Sequence, residues 1–281
     1  MPDVLRVIID AFELWKNNWR KFITAYLVLF AIGLVFGAIN FIIDLSQDAL
    51  CSSEEPAMLL ALCVFPQLIS YALNVIEGFV SIIVMLAVIR PFYELSERKP
   101  PSDWADHFVP QLPNAIKVAL LRFAIFLAAF IPLGIVVVLN LSALLALVAS
   151  RIEGSAFLSV LPTAAPLSIV AATLFGILLH FIANFLLTFL EVEVVLSKVG
   201  VIQAAAASVT LVKQNLLDVF IFGLIWLGVN FGISVLSFML CCTVVLIPLI
   251  FLIQPFILAP TYTLSTILLW KQLKPKSART A

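Results

Sequence analysis

The feature that most constrains this chain is a series of apolar stretches, each at least as long as the roughly 20-residue helix that a bilayer core requires. They fall near residues 21–44, 69–93, 116–148, 166–192, 217–240 and 245–270, with short polar segments between them. Of the whole chain, 63% is hydrophobic and only 11% charged, less than half of the roughly one quarter usual for a soluble domain. Lipid can cover that much apolar surface, whereas a soluble core cannot. The expected fold is all-α: a polytopic membrane helix bundle with six transmembrane helices, forming a single integral membrane domain over residues 1–281. The third stretch exceeds what a bilayer needs, so it is expected to tilt, kink at Pro132 or run into the interface after Asn140. Residues 57–68 are apolar but short and contain Pro66, which reads as an interfacial helix leading into the second span.

Charge gives these spans a direction. Fifteen lysines and arginines fall on one side of a six-span layout and only Arg151 on the other. The first loop on that other side carries Asp44, Asp48, Glu54 and Glu55. Short loops orient by Lys and Arg, so the basic side, with both termini, is expected in the cytoplasm of a multi-pass plasma (cytoplasmic or inner) membrane protein. A net charge of zero gives no reason to expect nucleic acid as a partner. Asp3, Arg6, Asp10, Glu13 and Lys16 interrupt any apolar signal-peptide core, so a cleaved leader is not expected.

Residues 3–20 have the pattern of an amphipathic helix rather than a span. Asp3, Arg6, Asp10, Glu13, Asn17 and Arg20 step along one face, and Leu5, Ile8, Phe12, Trp15 and Trp19 along the other. The pattern predicts a helix lying on the cytoplasmic surface before turning into the first span; packing into the bundle is the other solution. Trp15, Trp19, Arg20 and Lys21 are its candidate interfacial anchors, and Lys213 is the equivalent cation before the fifth span. Segments 102–115 and 200–214 are expected to be further cytoplasmic interfacial helices. Leu14-Trp15-Lys16-Asn17-Asn18 is echoed by Leu211-Val212-Lys213-Gln214-Asn215, and Asn114 precedes the third span. Asn18, Asn114 and Asn215 are 96 and 101 residues apart. That spacing suits three parallel helical-hairpin repeats, although interfacial chemistry recurring without duplication gives the same pattern.

One stretch also has a family likeness. Glu191-Val192-Glu193-Val194-Val195-Leu196 is followed by Gly200-Val201-Ile202, the alanines Ala204 to Ala207, Ser208, and Leu211-Val212-Lys213-Gln214-Asn215. This resembles the YciC-like group of uncharacterised polytopic membrane proteins, and the membrane domain attached to some glycerophosphodiester phosphodiesterases. The resemblance implies a six-span architecture with surface helices and little about activity. Ala206 and Ala207 stand where such helices often carry a basic residue before the serine. Phosphodiesterase chemistry is not expected, because residues 1–281 hold no second, catalytic domain.

Polar residues at membrane depth are costly and so merit inspection. Asn74 and Glu77 share a face of the second span, and His180 and Asn184 are one turn apart in the fourth. These four are the candidate intramembrane polar site. They suit either a proton relay joining Glu77 to His180 or interhelical hydrogen bonds that fix packing. Asn140, Asn230, Gln254 and Tyr262 lie in other spans, and Pro132, Pro248, Pro255 and Pro260 are candidate kinks. Glu191 and Glu193, at a span end, are expected to pair with Lys198, Lys213 or other interfacial cations.

No Gly-rich phosphate loop, nucleophile elbow or His-Glu-x-x-His helix is present. Two histidines cannot make a multi-histidine metal centre, and Cys51, Cys63, Cys241 and Cys242 lack zinc-like spacing. The cysteines read as small apolar packing residues, or as a disulfide from Cys51 to Cys241 or Cys242. No catalytic residue, metal or cofactor is therefore expected. The favoured expectation is a non-enzymatic bilayer protein that organises lipids, a membrane-protein partner or further copies of itself. The alternatives are a small-solute or proton-coupled transporter or channel using Glu77 and His180, and an intramembrane lipid-modifying enzyme.

Overall fold

The computed structural model describes residues 3–50, 56–139, 164–240 and 252–274. Those residues form helices α1 (Val4–Leu50), α2 (Pro56–Ser96), α3 (Ala105–Leu139), α4 (Ala164–Leu186), α5 (Leu190–Leu196), α6 (Val201–Gln214), α7 (Leu216–Leu240) and α8 (Ala259–Leu273). A π-helical turn, Gln254–Leu258, leads into α8. The fold is an all-α membrane helix bundle. Among the described residues five segments are long and apolar enough to cross a membrane: Val4–Ile43, Ala72–Ser96, Ala105–Leu139, Ser168–Leu196 and Leu216–Leu236. The expected sixth span, 245–270, begins outside the described residues. Cys51, Cys241, Cys242, Asn140 and Pro248 lie outside them too, and the side chain of Cys63 is not described.

Three expected interfacial helices prove continuous with the spans that follow them. No turn separates residues 3–20 from the first span. A single 47-residue helix, about 70 Å long, runs through both. Between Trp15 and Ala25 there is no glycine or proline to open the backbone ladder. The buried positions Val4, Val7, Ala11 and Trp15 also continue in helical phase into Phe22, Ala25 and Tyr26, so one unbroken stripe faces the core. Trp15 is thus a core residue at 5% exposure and not a headgroup anchor; Trp19 stays 41% exposed, with Arg20 over its ring. Lys21 and Lys213 are exposed. Likewise 105–115, the helical part of the expected segment 102–115, merges with the third span in α3, which carries Pro110, Pro113 and Pro132 within it. Residues 57–68 belong to the continuous α2, Pro66 included. Only 200–214 forms the separate helix expected, α6, and it ends at Asn215 in a non-helical conformation (φ −128°, ψ 38°).

The core sits at one end of the bundle. It joins the first half of α1, the last third of α2, α5, the end of α6 and the first half of α7 to α8. Phe92 is its centre, with its ring centroid 4.4 Å from Phe22 and edge-on to Trp15. Trp104, just before α3, ties in through its indole, which donates to Thr24 Oγ1 at 3.0 Å. The described lysines and arginines cluster toward this same end. Beyond it the helices expose their apolar side chains: only 6% of the most apolar window of α3 is buried, and the same share of α4.

The outer two copies of the expected repeat share a burial register. Val4, Val7, Ala11, Trp15, Phe22 and Ala25 are buried, and so are the residues 197 positions later: Val201, Ala204, Ser208, Val212, Val219 and Phe222. Asn18 and Asn215 each donate to the carbonyl four residues earlier, at 3.0 Å. Asn184 and Asn230 make that bond as well, so the register and not the asparagine is the mark of repetition. In the middle copy, 96 residues after the first, only Val118 keeps its place in the register, and Asn114 bonds Gln111 instead.

α3 and α4 approach closely at Gly176. A Cβ there would lie 3.0 Å from the Phe130 ring and 3.1 Å from the Ala129 carbonyl oxygen. Small residues let membrane helices make such contacts. Gly176→Leu is expected to lower stability by about 1–3 kcal/mol through overpacking, read as a reduced Tm in detergent. Gly228→Leu, where nothing lies within 4 Å of the added Cβ, should leave Tm within a degree or two. Equal losses would mean that Gly176 marks no close crossing.

Candidate functional site

The described polar interior is organised by a break in the fourth span. α4 stops at Leu186, Phe189 adopts φ −102° and ψ 8°, and the seven-residue α5 restarts at Leu190. A break leaves backbone groups without helical partners, which buried chain cannot tolerate. Ser208 of α6, fully buried, fills the gap: its hydroxyl donates to the Leu186 carbonyl at 3.0 Å and accepts from the Phe189 N–H at 3.1 Å. One serine thus satisfies both sides of the break.

The break aims two carboxylates in opposite directions. Glu191 and Glu193 are two positions apart on α5, so about 200° separates them around the helix. Both are buried, at 3% and 2% exposure. Glu193 faces α8. It accepts from the Trp270 indole at 2.7 Å and from Lys274 Nζ at 2.9 Å, while Lys274 also donates to Ser197 Oγ at 2.8 Å. Glu191 faces α3, where Arg122 Nε donates to it at 2.9 Å and Nη2 makes a second, close contact with the same oxygen.

The chain of polar contacts continues deeper into the fourth span. Arg122 Nη1 donates to Asn184 Oδ1 at 3.1 Å. The Asn184 amide nitrogen then lies 2.9 Å from both the His180 carbonyl oxygen and His180 Nε2. An amide N–H donating to Nε2 leaves the proton of the neutral ring on Nδ1. That Nδ1 is buried and has no partner among the described residues. Phe126 meets the imidazole edge to face at 5.6 Å, and Phe130 lies beyond it. A crevice of about 520 Å³ between α2, α3 and α4 runs past Arg122, Asn184 and His180.

The four expected site residues do not come together. His180 and Asn184 belong to this chain of contacts. Asn74 is instead part of an α1–α2 contact: Asn40 donates to it at 3.0 Å and accepts from Ser70 at 2.9 Å. Glu77 also faces α1, beside Gly33, where an added Cβ would sit 3.4 Å from its carboxylate oxygen. Glu77 and His180 line no common cavity among those described. Glu191 and Glu193 pair with cations, but with Arg122 and Lys274 and not with Lys198 or Lys213. Asn230, Gln254 and Tyr262, noted separately in sequence, share a cavity of about 250 Å³ with Trp226.

Sequence reasoning missed Arg122 as a site residue, although the signal was there. Arg122 falls within its own expected span, 116–148, where a cation calls for an anion. Ser208 was noted only as part of a motif, because its role depends on a break that the apolar sequence of α4 does not announce. The arrangement can hold charge at membrane depth, cross-link α3, α5 and α8, and offer a hydrogen-bonded path of three side chains from Glu191 toward His180. Compared with models of protein families, with curated proteins and with solved structures, the chain matches none of them.

Proposed function

We propose that this membrane protein is a non-enzymatic bilayer component that organises lipid around its exposed helices. The observation that carries this reading is the uneven burial. Packing is concentrated at the basic end, while only 6% of the most apolar windows of α3 and α4 is buried. Large apolar surfaces left by a fold indicate what covers them, and for helices of this length the cover is lipid. The paired state of Glu191 and Glu193 supports the same reading, since it leaves these charges to packing. The clustering of cations supports an orientation with the basic end, the N-terminus of α1 and the C-terminus of α8, toward the cytoplasm of a plasma or inner membrane. The likeness to the YciC-like group fits this architecture and assigns no chemistry.

The test is extraction of the full chain into a mild detergent, followed by native mass spectrometry. Tightly held phospholipids are the expected result. Recovery as a lipid-free, partner-free monomer that conducts a solute in proteoliposomes would overturn the proposal. One observation favours a second reading, proton-coupled transport: the unpartnered His180 Nδ1 at the end of the path from Glu191. On that reading His180→Ala abolishes a pH-driven flux in proteoliposomes; on the first there is no such flux to lose.

A further inference from the structure

At the basic end, α2, α5 and α8 finish around a cleft of about 540 Å³. Arg90, Tyr93 and Glu94 of α2 line it, with Lys99, Pro100 and Ser102 of the following loop. Val195, Leu196 and Lys198 close it from α5, and Trp270 from α8. The charges are three cations and one carboxylate. Glu94 is already engaged, accepting from the Ser102 N–H at 2.8 Å and from Arg90 Nε at 3.4 Å. Lys99 and Lys198 are exposed and have no acidic partner among the described residues.

Lys198 carries a second mark. It has φ 53°, in the left-handed region that favours glycine, and it follows directly on α5 and its capping Ser197. Arg98, after α2, shares this conformation (φ 58°), and a lysine at position 198 is less stable in it than a glycine would be. The Lys198 side chain lines a cleft with an excess of positive charge. The walls explain which anion fits. Val195 and Leu196 end α5, and Tyr93 and Trp270 lie in the last turns of α2 and α8, so with the basic end at the membrane surface the cleft would open where headgroups lie. Lysines are point-charge partners for phosphate, and the Ser102 hydroxyl beside them is held by His107 Nε2 at 2.8 Å.

We propose that this cleft binds the phosphate ester of an anionic phospholipid headgroup, with Lys99 and Lys198 as its principal contacts. The proposal rests on the lipid-organising reading above and names the lipid class and its seat. The same phosphate chemistry could be presented by a soluble ester, so the test has two arms. The full chain in neutral detergent is titrated with phosphatidylglycerol or phosphatidylcholine and read by native mass spectrometry; inorganic phosphate and glycerol 3-phosphate form the second arm.

The wild type is expected to prefer phosphatidylglycerol, and each lysine removed should weaken that binding about fivefold, roughly twentyfold for Lys99→Ala with Lys198→Ala. Lys198→Gly is the sharper variant. It relieves the backbone, so its Tm should hold or rise while phosphatidylglycerol binding falls, a divergence that a merely structural lysine would not produce. An unchanged lipid preference in the double variant overturns the proposal while leaving the lipid-organising reading standing. So does saturation by inorganic phosphate or glycerol 3-phosphate with no preference for phosphatidylglycerol. Loss of all lipid binding by the wild type overturns both.

Discussion

Replacing Arg122 with alanine is expected to destabilise the bundle by about 3–5 kcal/mol, because it strands a buried carboxylate. Arg122 itself is 37% exposed, whereas Glu191 is 3% exposed. Most of the loss therefore comes from the anion left behind, together with the Asn184 oxygen that loses its donor. The measurement is unfolding in detergent, followed by helicity and by Trp fluorescence. A companion variant separates pairing from packing. Arg122→Met with Glu191→Leu removes both charges at similar volume and is expected to unfold within about 1 kcal/mol of the wild type, or to be more stable. Should the single and double replacements lose the same stability, the ion pair is not what holds α3 to α5.

The second large effect is expected at Phe92. Its ring is fully buried and meets Phe22, Trp15 and Tyr26, so Phe92→Ala opens a cavity where α1 and α2 join. Removal of a buried phenylalanine costs about 3–5 kcal/mol. Phe231, 69% exposed on α7, provides the contrast: its replacement by alanine should change Tm very little in detergent. If Phe231→Ala is as damaging as Phe92→Ala, the core is not confined to the basic end, and the main support for a lipid-covered far end is gone.

How much of this was legible in the sequence depends on the distance over which each feature is encoded. Helix type and the apolar segments were legible, because hydrophobic periodicity is local. So was α6, whose alternation of Val201, Ala204, Ser208 and Leu211 with exposed positions ends at an asparagine that leaves the helix. The continuity of α1 was legible in principle. Trp15 and Phe22 are in phase on one stripe, and following that phase past Arg20 would have argued against a turn. Partner choice was not legible. Arg122 reaches Glu191 across 69 residues and Lys274 reaches Glu193 across 81, and nothing local distinguishes those cations from Lys198 or Lys213. The separation of Glu77 from His180 was hidden for the same reason, since each residue's face is fixed by which helices flank its own.

The confinement of the core to one end has a mechanical consequence. At the basic end the protein presents a cross-section set by its own close packing, which resists compression as crystals of small molecules do. On the lipid-organising reading the exposed apolar lengths of α3 and α4 meet acyl chains, so their tilt would follow the lateral pressure and thickness of the membrane around them. A change in lipid composition would be felt first as movement of the far ends. The packed end would act as their common pivot, with Arg122 and the apolar cluster of Val118, Leu190 and Val194 setting the angle between α3 and α5.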